Sequence, residues 1–366
     1  MSKASGAMVD SRSVVIAIVT YNSSRFIRQC LQYAFAQEYE RLEIIVIDNA
    51  SSDETPGILR EMEASLQTNR RLRVVYNREN TGFAGGQNQA IALSGADWVL
   101  TLNPDVRLKP DFIGRLVAAG EDDPAAGSVC GKLLTMAADF EPPARPVFDS
   151  TGIFFTPNLR HLDRGSQEPD SGQYEQPEYV FGATGAACLY RRAMIADISL
   201  DGEFFDNDFF AYREDADVAW RAQLLGWKCL YTPHAVAYHV RSVLPSNRES
   251  LPAFINMHSV KNRWLLRIKN MTAALYRRHW LSVTWRDCLV IGGCLLREFS
   301  SLRAFVLLYR AWPRTWRKRQ AIMRKRRVSD DYLASWFSFQ PVSFPAPSTA
   351  ASSITGSATG ESMARG

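Results

Sequence analysis

Residues 14–22 read VVIAIVTYN and residues 44–49 read IIVIDN. In each, an unbroken apolar run stops at polar side chains, the pattern of a strand buried on both faces whose last residues emerge at one end of a sheet. Between them Phe26, Ile27, Cys30, Leu31, Ala34 and Phe35 recur at helical spacing, so the chain opens as strand, helix, strand. A second helix is predicted over 52–66, with Asp53 and Glu54 favouring its positive end. Strands over 73–76 and 98–102 enclose a helix over 85–93. This alternation predicts an α/β fold with a single mostly parallel sheet and flanking helices, which places ligands beyond the carboxyl ends of its strands.

Polar clusters stand at four of those ends: Thr20-Tyr21-Asn22, Asp48-Asn49, the stretch NTGFAGGQN over 80–88, and Asn103-Pro104-Asp105. Each alone is ordinary turn chemistry; four in succession pointing the same way define a site. The glycine-rich run from Gly82 to Asn88 precedes the expected helix, so its backbone N–H groups and the helix dipole could face an anion such as a diphosphate. It lacks the GxGxxG spacing of a dinucleotide fold. Further on, Glu214-Asp215 follows the aromatics Phe209, Phe210 and Tyr212 and opens a helix expected over 214–225. Apolar walls there would tune a carboxyl group for proton transfer. Neighbouring helical positions diverge by about 100°, so one of the two carboxylates faces the reacting atoms.

The chain of 366 residues, 46% apolar, can bury a full α/β core and carry an appendage. Its six cysteines form no CxxC pair, which points to a reducing compartment. Met1 to Arg12 hold no apolar segment, so no secretory signal is expected. From 125 to 180 the pattern becomes irregular, read as acceptor-side loops and small strands such as 147–155, and strands over 228–231 and 235–238 close the sheet. Charge divides the chain: 261–327 holds eighteen Lys or Arg against two acids, and the remainder holds twenty-five basic against thirty-six acidic residues.

The stretches VTYN (19–22), VIDNASSDET (46–55), NTGFAGGQNQA (80–90), LNPDV (102–106), FGATGAACLYRR (181–192), FFAYREDADVAWR (209–221) and YHVRS (238–242) together resemble glycosyltransferase family 2, the inverting GT-A group, and within it a rhamnosyltransferase-like branch. The resemblance implies a GT-A fold and a nucleotide-diphosphate sugar donor, dTDP-L-rhamnose or a UDP-sugar. Thr20, Tyr21, Asn22, Asp48, Asn49 and Asp53 would then hold a pyrimidine nucleotide, and Gly82, Asn88, Asn103 and Glu214 the rest of the donor. It makes Asp105 a ligand of Mg²⁺ or Mn²⁺, which favour hard oxygen donors, with His239 as a second ligand. Asn103 stands where the common metal motif has a first carboxylate. Asp215 becomes the base that takes the acceptor's proton, while Arg191, Arg192 and Arg241 are the cations available to the leaving group. A sugar nucleotidylyltransferase would need a glycine-rich basic loop that 14–25 does not supply; a non-catalytic sugar-nucleotide-binding or membrane scaffold is the rival from another class.

The expected divisions are a catalytic domain over 1–245, a basic helical region over 246–340, whose stretch 253–327 holds five of the nine tryptophans, and a disordered tail over 341–366. In the segment 288–308 Arg297, Glu298 and Arg303 oppose a membrane span. Its tryptophans and cations fit peripheral attachment to an anionic membrane surface from the cytoplasmic side. Packing on the catalytic domain and a homo-oligomer contact are the competing uses. No nucleic-acid-binding motif is present. The expected acceptor is a hydroxyl of a glycan or lipid-linked glycan.

Overall fold

A computed structural model describes residues 12–65, 71–241 and 253–346. Strands β1 (Val14–Thr20), β2 (Leu42–Asp48), β3 (Arg71–Tyr76) and β4 (Trp98–Leu102) run parallel in the order β3-β2-β1-β4. Along β1, Val15, Ala17 and Val19 enter one apolar layer and Val14, Ile16 and Ile18 the other. Because strand side chains alternate between faces, burial on both sides requires the continuous apolar run. Helix α1 (Ile27–Phe35) covers one face through Ile27, Cys30, Leu31 and Ala34, joined by α2 (Thr55–Ser65) through Leu59 and Met62. Helix α3 (Gly82–Ala92) covers the opposite face through Ala84, Ala90 and Ile91.

Beyond β4 the sheet becomes mixed. The short β5 (Val106–Leu108) is followed by α4 (Phe112–Asp122) and β6 (Ala126–Thr135). Strand β7 (Phe148–Ser150) pairs with β6, whereas β8 (Ile153–Phe155) and β9 (His161–Asp163) form a separate two-stranded sheet. The single strand expected over 147–155 is therefore two. Gly152, at φ +120°, turns the chain between them, and a Cβ there would lie 2.8 Å from the Val180 side chain. Strand β10 (Glu178–Val180) precedes β11 (Ala187–Arg191), which inserts antiparallel between β4 and β6. Helices α5 (Arg192–Ile198) and α6 (Glu214–Leu224) follow, then β12 (Lys228–His239). The two closing strands are one: β12 stays paired to β6 across a register shift between Tyr231 and Val236, where Pro233 cannot donate to the ladder.

The basic region folds as α7 (Ala253–Asn270), α8 (Ala273–Leu296), α9 (Arg303–Lys325) and α10 (Asp330–Ser335). No helix of the described residues is long and apolar enough to cross a membrane. Much of its charge is turned inward. Lys269 Nζ reaches Asp217 Oδ2 at 2.9 Å and also bonds Asp206; Lys318 Nζ lies 2.7 Å from Asp206 Oδ1; Arg221 Nε donates to Asp217 Oδ2 at 2.8 Å. Lys269, Asp217 and Asn270 are wholly buried. The opposite charges of the two halves thus meet in a water-excluded network joining α7 and α9 to α6. Leu333, Trp336 and Phe337 pack into the same core as Phe155, Phe181 and Trp220. Residues 341–346, expected to lack structure, are a correction: β13 (Phe344–Pro345) pairs with β10, and Phe344 meets Trp336 edge-to-face at 4.6 Å. An apolar anchor, Phe344, supplies what the Ser/Ala-rich sequence around it does not; residues 347–366 lie outside the described part.

Removing one partner from such a network leaves a buried charge uncompensated. Lys269→Ala is expected to lower unfolding free energy by about 3–5 kcal/mol, while Arg317→Ala, which breaks the exposed Arg317–Asp201 pair, changes it by less than about 1 kcal/mol. Urea denaturation of the two variants beside the parent protein measures the contrast.

Candidate active site

The carboxyl ends of β1 and β2 are tied together first. Thr20 Oγ1 donates to Asp48 Oδ1 at 3.0 Å, as does Ser51 Oγ at 2.6 Å. Asn22, in the left-handed region at φ 51°, accepts from Ser52 N through Oδ1. Asp53 accepts from the backbone N–H groups of Ser24 and Thr55 at 3.0 Å each. Its surroundings alone would raise the carboxyl pKa, but these hydrogen bonds hold it down at about 2. Tyr21, beside this anchored turn, is half exposed. Asn49 is buried and points inward: Nδ2 donates to Gly82 O at 2.8 Å, and Oδ1 accepts from Asn77 and Thr81.

The glycine-rich stretch differs from expectation. The helix begins at Gly82, not at 85, and Ala84 N donates to Phe210 O at 3.1 Å. Gly82 has φ +77°, and a Cβ there would lie 2.4 Å from Phe210 O, so close approach of the two backbones sets this residue. At least one N–H of the helix start thus faces the protein. Asn88 is likewise engaged internally: Oδ1 accepts from Phe204 N and Phe205 N, while Nδ2 donates to Phe205 O at 2.6 Å and to Asn207 Oδ1. It braces the segment that leads to Asp215.

That segment is strained. Phe210, Tyr212 and Arg213 have φ of 66°, 70° and 72°, a region that non-glycine residues visit rarely. Phe210, with ψ −67°, forms the rarer γ-turn, closed by Ala211 N donating to Phe209 O at 2.8 Å. Asn262, wholly buried on α7, directs Nδ2 at three carbonyl oxygens of this loop: Phe209 at 2.9 Å, Ala211 at 2.8 Å and Tyr212 at 2.7 Å.

Glu214 and Asp215 then open α6. Asp215 Oδ2 accepts from Gly185 N at 3.1 Å and Oδ1 from Ala216 N at 2.7 Å. The protein around it nevertheless raises its pKa, because loss of hydration and the nearby Asp163 outweigh those bonds and Arg213. Glu214 is pushed well above the carboxylate range by burial and by the Asp215 charge, and its Oε2 has no hydrogen-bond partner among the described residues.

The same cleft is lined by Asn103 and Asp105, after β4, and His239 at the end of β12. His239 Nε2 lies 3.3 Å from Asp105 Oδ1 and Nδ1 lies 2.8 Å from Asp149 Oδ2. Burial alone would lower the imidazole pKa; the two carboxylates reverse this and raise it to about 10. Arg241 Nε meets Asp149 Oδ1 at 3.0 Å, and its other end meets Asp163 at 2.5 Å. A carboxylate holding the far nitrogen of a histidine is the arrangement that orients an imidazole toward a metal. Among the described residues no three His, Cys, Asp or Glu side chains form a self-contained metal cage. One carboxylate and one imidazole suit an ion completed by phosphate oxygens and water.

Asn103, Asp105, His239, Glu214 and Asp215 all line one cleft of about 1140 Å³. Thr20, Tyr21, Asn22, Asp48, Asn49, Asp53, Gly82 and Asn88 are not among its lining; the first six stand at the carboxyl ends of β1 and β2. Of the three candidate cations Arg241 lines the cleft, whereas Arg191 donates to Ala126 O and Arg192 to Ala96 O, which places both at the other end of the strands. Asp149, Asp163, Arg213 and Asn262 escaped the sequence: the first two lie in the irregular stretch, and Asn262 is one polar residue within a basic helix. Asp149 had one local signal, its place in an apolar run that demands a buried partner.

Residues 15–198 match the pattern of the family described as Glycosyl transferase family 2. The poly-beta-1,6-N-acetyl-D-glucosamine synthase of Staphylococcus aureus (strain COL) is 25% identical over 229 residues, 62% of this chain and 49% of the synthase, so the chain spans about half the length of that relative. The N-acetylglucosaminyl-diphospho-decaprenol L-rhamnosyltransferase of Mycobacterium tuberculosis (strain CDC 1551 / Oshkosh) is 26% identical over 243 residues, 61% of this chain and 75% of that enzyme. Among solved structures, GalNAc-T7 with UDP, GalNAc and Mn²⁺ superposes with a TM-score of 0.55 at 12% identity, covering 72% of this chain and 50% of that one. The mannosyltransferase PcManGT from Pyrobaculum calidifontis, in complex with GDP-Man and Mn²⁺, gives 0.50 at 16% identity over 86% and 85%. These two establish a shared fold. With its parallel sheet, its polar strand ends and a match that spans half of its length, the chain belongs to glycosyl transferase family 2.

Proposed function

We propose that the protein is an inverting glycosyltransferase that moves a sugar, L-rhamnose from dTDP-L-rhamnose in the first instance, onto a hydroxyl of a glycan or lipid-linked glycan during cell-surface polysaccharide assembly. The observation that carries this is that Asp105, His239 and Asp215 line one and the same cleft. The name of the mycobacterial relative supports rhamnose and a lipid-linked acceptor; that of the staphylococcal synthase, an N-acetylglucosamine polymer, keeps UDP-sugars as the alternative donors. Tyr21 offers a face for the base, with Thr20 and Asp48 beside it.

Asp105 and His239 are the residues to hold Mg²⁺ or Mn²⁺, which supplies charge neutralisation for the departing diphosphate. Asp215 accepts the proton of the acceptor hydroxyl. The acceptor oxygen forms its bond to the anomeric carbon as the bond from that carbon to the phosphate oxygen breaks, and the nucleoside diphosphate leaves with the electron pair from the opposite side. A raised pKa suits a base that must hold the proton through the transition state. The site works on the cytoplasmic side of the membrane, with the protein peripherally attached; the exposed Trp280, Trp285, Trp312 and Trp316 support this.

Nucleotide release from dTDP-rhamnose and UDP-sugars with Mn²⁺ tests the assignment. Asp215→Asn is expected to lower kcat by ~10²–10⁴ with nucleotide affinity kept, and Asp105→Ala to abolish metal-dependent binding; full turnover in Asp215→Asn would rule out the base.

Asn262 is a positioning residue in this scheme, since it fixes the loop that enters α6. Asn262→Ala should lower kcat by about tenfold to a hundredfold, the scale of small misplacements of reacting groups, with the donor KM little changed. The sign of its pH effect follows from the raised Asp215: a base with a raised pKa is lost at higher pH than an exposed aspartate as solution is acidified, so a loosened, better hydrated Asp215 moves the acid limb of kcat downward. Stopped assays across pH 5 to 8 measure the limb, and a loss of stability alone would leave it in place.

A further inference from the structure

The cleft continues past the catalytic groups to a wall built by α7 and α8, and nothing in the transfer step uses it. Ile255, Val260 and Arg263 from α7, and Arg286 and Val290 from α8, line it. Asp287 Oδ1 lies 3.3 Å from a terminal nitrogen of Arg263, and its Oδ2 lies 2.5 Å from Arg267. Arg286 brings a third positive charge to the same place. Arg263 and Arg267 paired to Asp287, with Arg286 near Arg263, and Arg263 and Arg286 on the cleft, make a surface that favours an anion. Arg263 registers the crowding: burial, only partly offset by Asp287, brings its pKa down to about 10, with Arg267 and Arg286 adding to the fall.

The second observation is the helix that carries Arg286. Ser282, Arg286 and Val290 follow each other at i, i+4 spacing, and so do Leu281, Trp285 and Leu289, one residue earlier. Rows one residue apart are turned by about 100° on a helix. The first row bears on the cleft side, with Ser282 Oγ donating to Pro157 O and the other two lining the cavity. The second is open to solvent: Leu281 is 66% exposed, Trp285 67% and Leu289 49%. It continues into Leu296, Phe299, Val306 and Tyr309, with Arg297, Arg303 and Arg310 exposed among them. A surface of large apolar side chains flanked by arginines matches the boundary of an anionic bilayer. One helix therefore joins a cationic cavity wall to an exposed apolar strip.

We propose that α7 and α8 form an acceptor subsite for an amphiphilic prenyl phosphate or diphosphate: Arg263 and Arg286 take the phosphate oxygens, and the hydrocarbon chain leaves past Val290 along the Leu281–Trp285–Leu289 row into the membrane surface. This rests on the glycosyltransferase reading and names the carrier of its acceptor. The saccharide on that carrier then lies between the arginines and Asp215, with its hydroxyl toward the base. Guanidinium groups suit the task because they bind phosphate oxygens through paired donors.

Equilibrium binding of the full chain to citronellyl diphosphate, to the neutral amphiphile citronellyl glucoside and to inorganic pyrophosphate tests the proposal, with dTDP and UDP in Mn²⁺ as separate ligands. Citronellyl diphosphate is expected to bind at least about tenfold more tightly than either probe that lacks one of its parts. Arg286→Ala should remove most of that advantage and leave dTDP or UDP binding within about twofold. The exposed pair Trp285→Ser and Leu289→Ser, which leaves the core untouched, should bring citronellyl diphosphate down to the level of pyrophosphate. Equal affinity for all three probes overturns the subsite, as does an Arg286→Ala protein that loses nucleotide and citronellyl diphosphate alike, since the arginines would then serve the donor. Failure to bind any nucleotide diphosphate would instead count against the transferase reading, whatever the prenyl probe does.

Discussion

A backbone that cannot hold its own shape lies at the centre of this molecule. Between Phe209 and Arg213 three residues sit at positive φ and one of them centres a γ-turn of the rarer hand, each a cost of about 1–3 kcal/mol that neighbouring structure must offset. Two elements do so from opposite sides. Helix α3 meets Phe210 O through Ala84 N and gives way to it at Gly82, while α7 grips three carbonyl oxygens through Asn262. The reward is position: the loop delivers Glu214 and Asp215 to the cleft at the start of α6, with the carboxylate of Asp215 fixed by Gly185 N and Ala216 N.

It follows that the basic helices and the cleft are built into one packed body. The network of Lys269, Lys318, Arg221, Asp206 and Asp217 binds α7 and α9 to α6 just beyond Asp215. Buried ion pairs are weak evidence for net stability, yet they fix register strongly because any shift strands a charge. Here that register keeps Asn262 opposite the strained loop. The segregation of charge along the sequence, which suggests two independent pieces, is in space the complementarity of one interface, and the arginines left over face the cleft wall and solvent.

What could be read from residues alone follows the same physics. Strands β1, β2 and β4 were legible because a strand covered on both faces must be apolar throughout, and the polar residues beyond them had nowhere else to go. Helix α1 announced itself by the spacing of Ile27, Cys30, Leu31 and Ala34. The start of α3 was misplaced because glycines are poor helix formers; Phe210, more than a hundred residues away, decides that Gly82 is helical. Asn88 offered a plausible ligand contact, and its engagement with Phe204 and Phe205 depends on a fold that no local pattern encodes. Asp149, Asp163 and Asn262 lay hidden for one reason: a single polar residue acquires meaning from what the chain brings against it.

The cleft holds two unlike electrostatic regimes. Asp105 faces His239, whose other ring nitrogen is held by Asp149, so that end of the cleft presents a carboxylate beside an oriented imidazole. Asp215 has backbone donors but sits where burial and Asp163 make its anion costly, and the neighbouring Glu214 is driven still further toward its neutral form. The Asp149–Arg241–Asp163 bridge lies between the two regimes and connects them physically: Asp149 orients His239, while Asp163 bears on Asp215. One arginine shared between two aspartates, on β7 and β9, thus links the His239 end of the cleft to the Asp215 end.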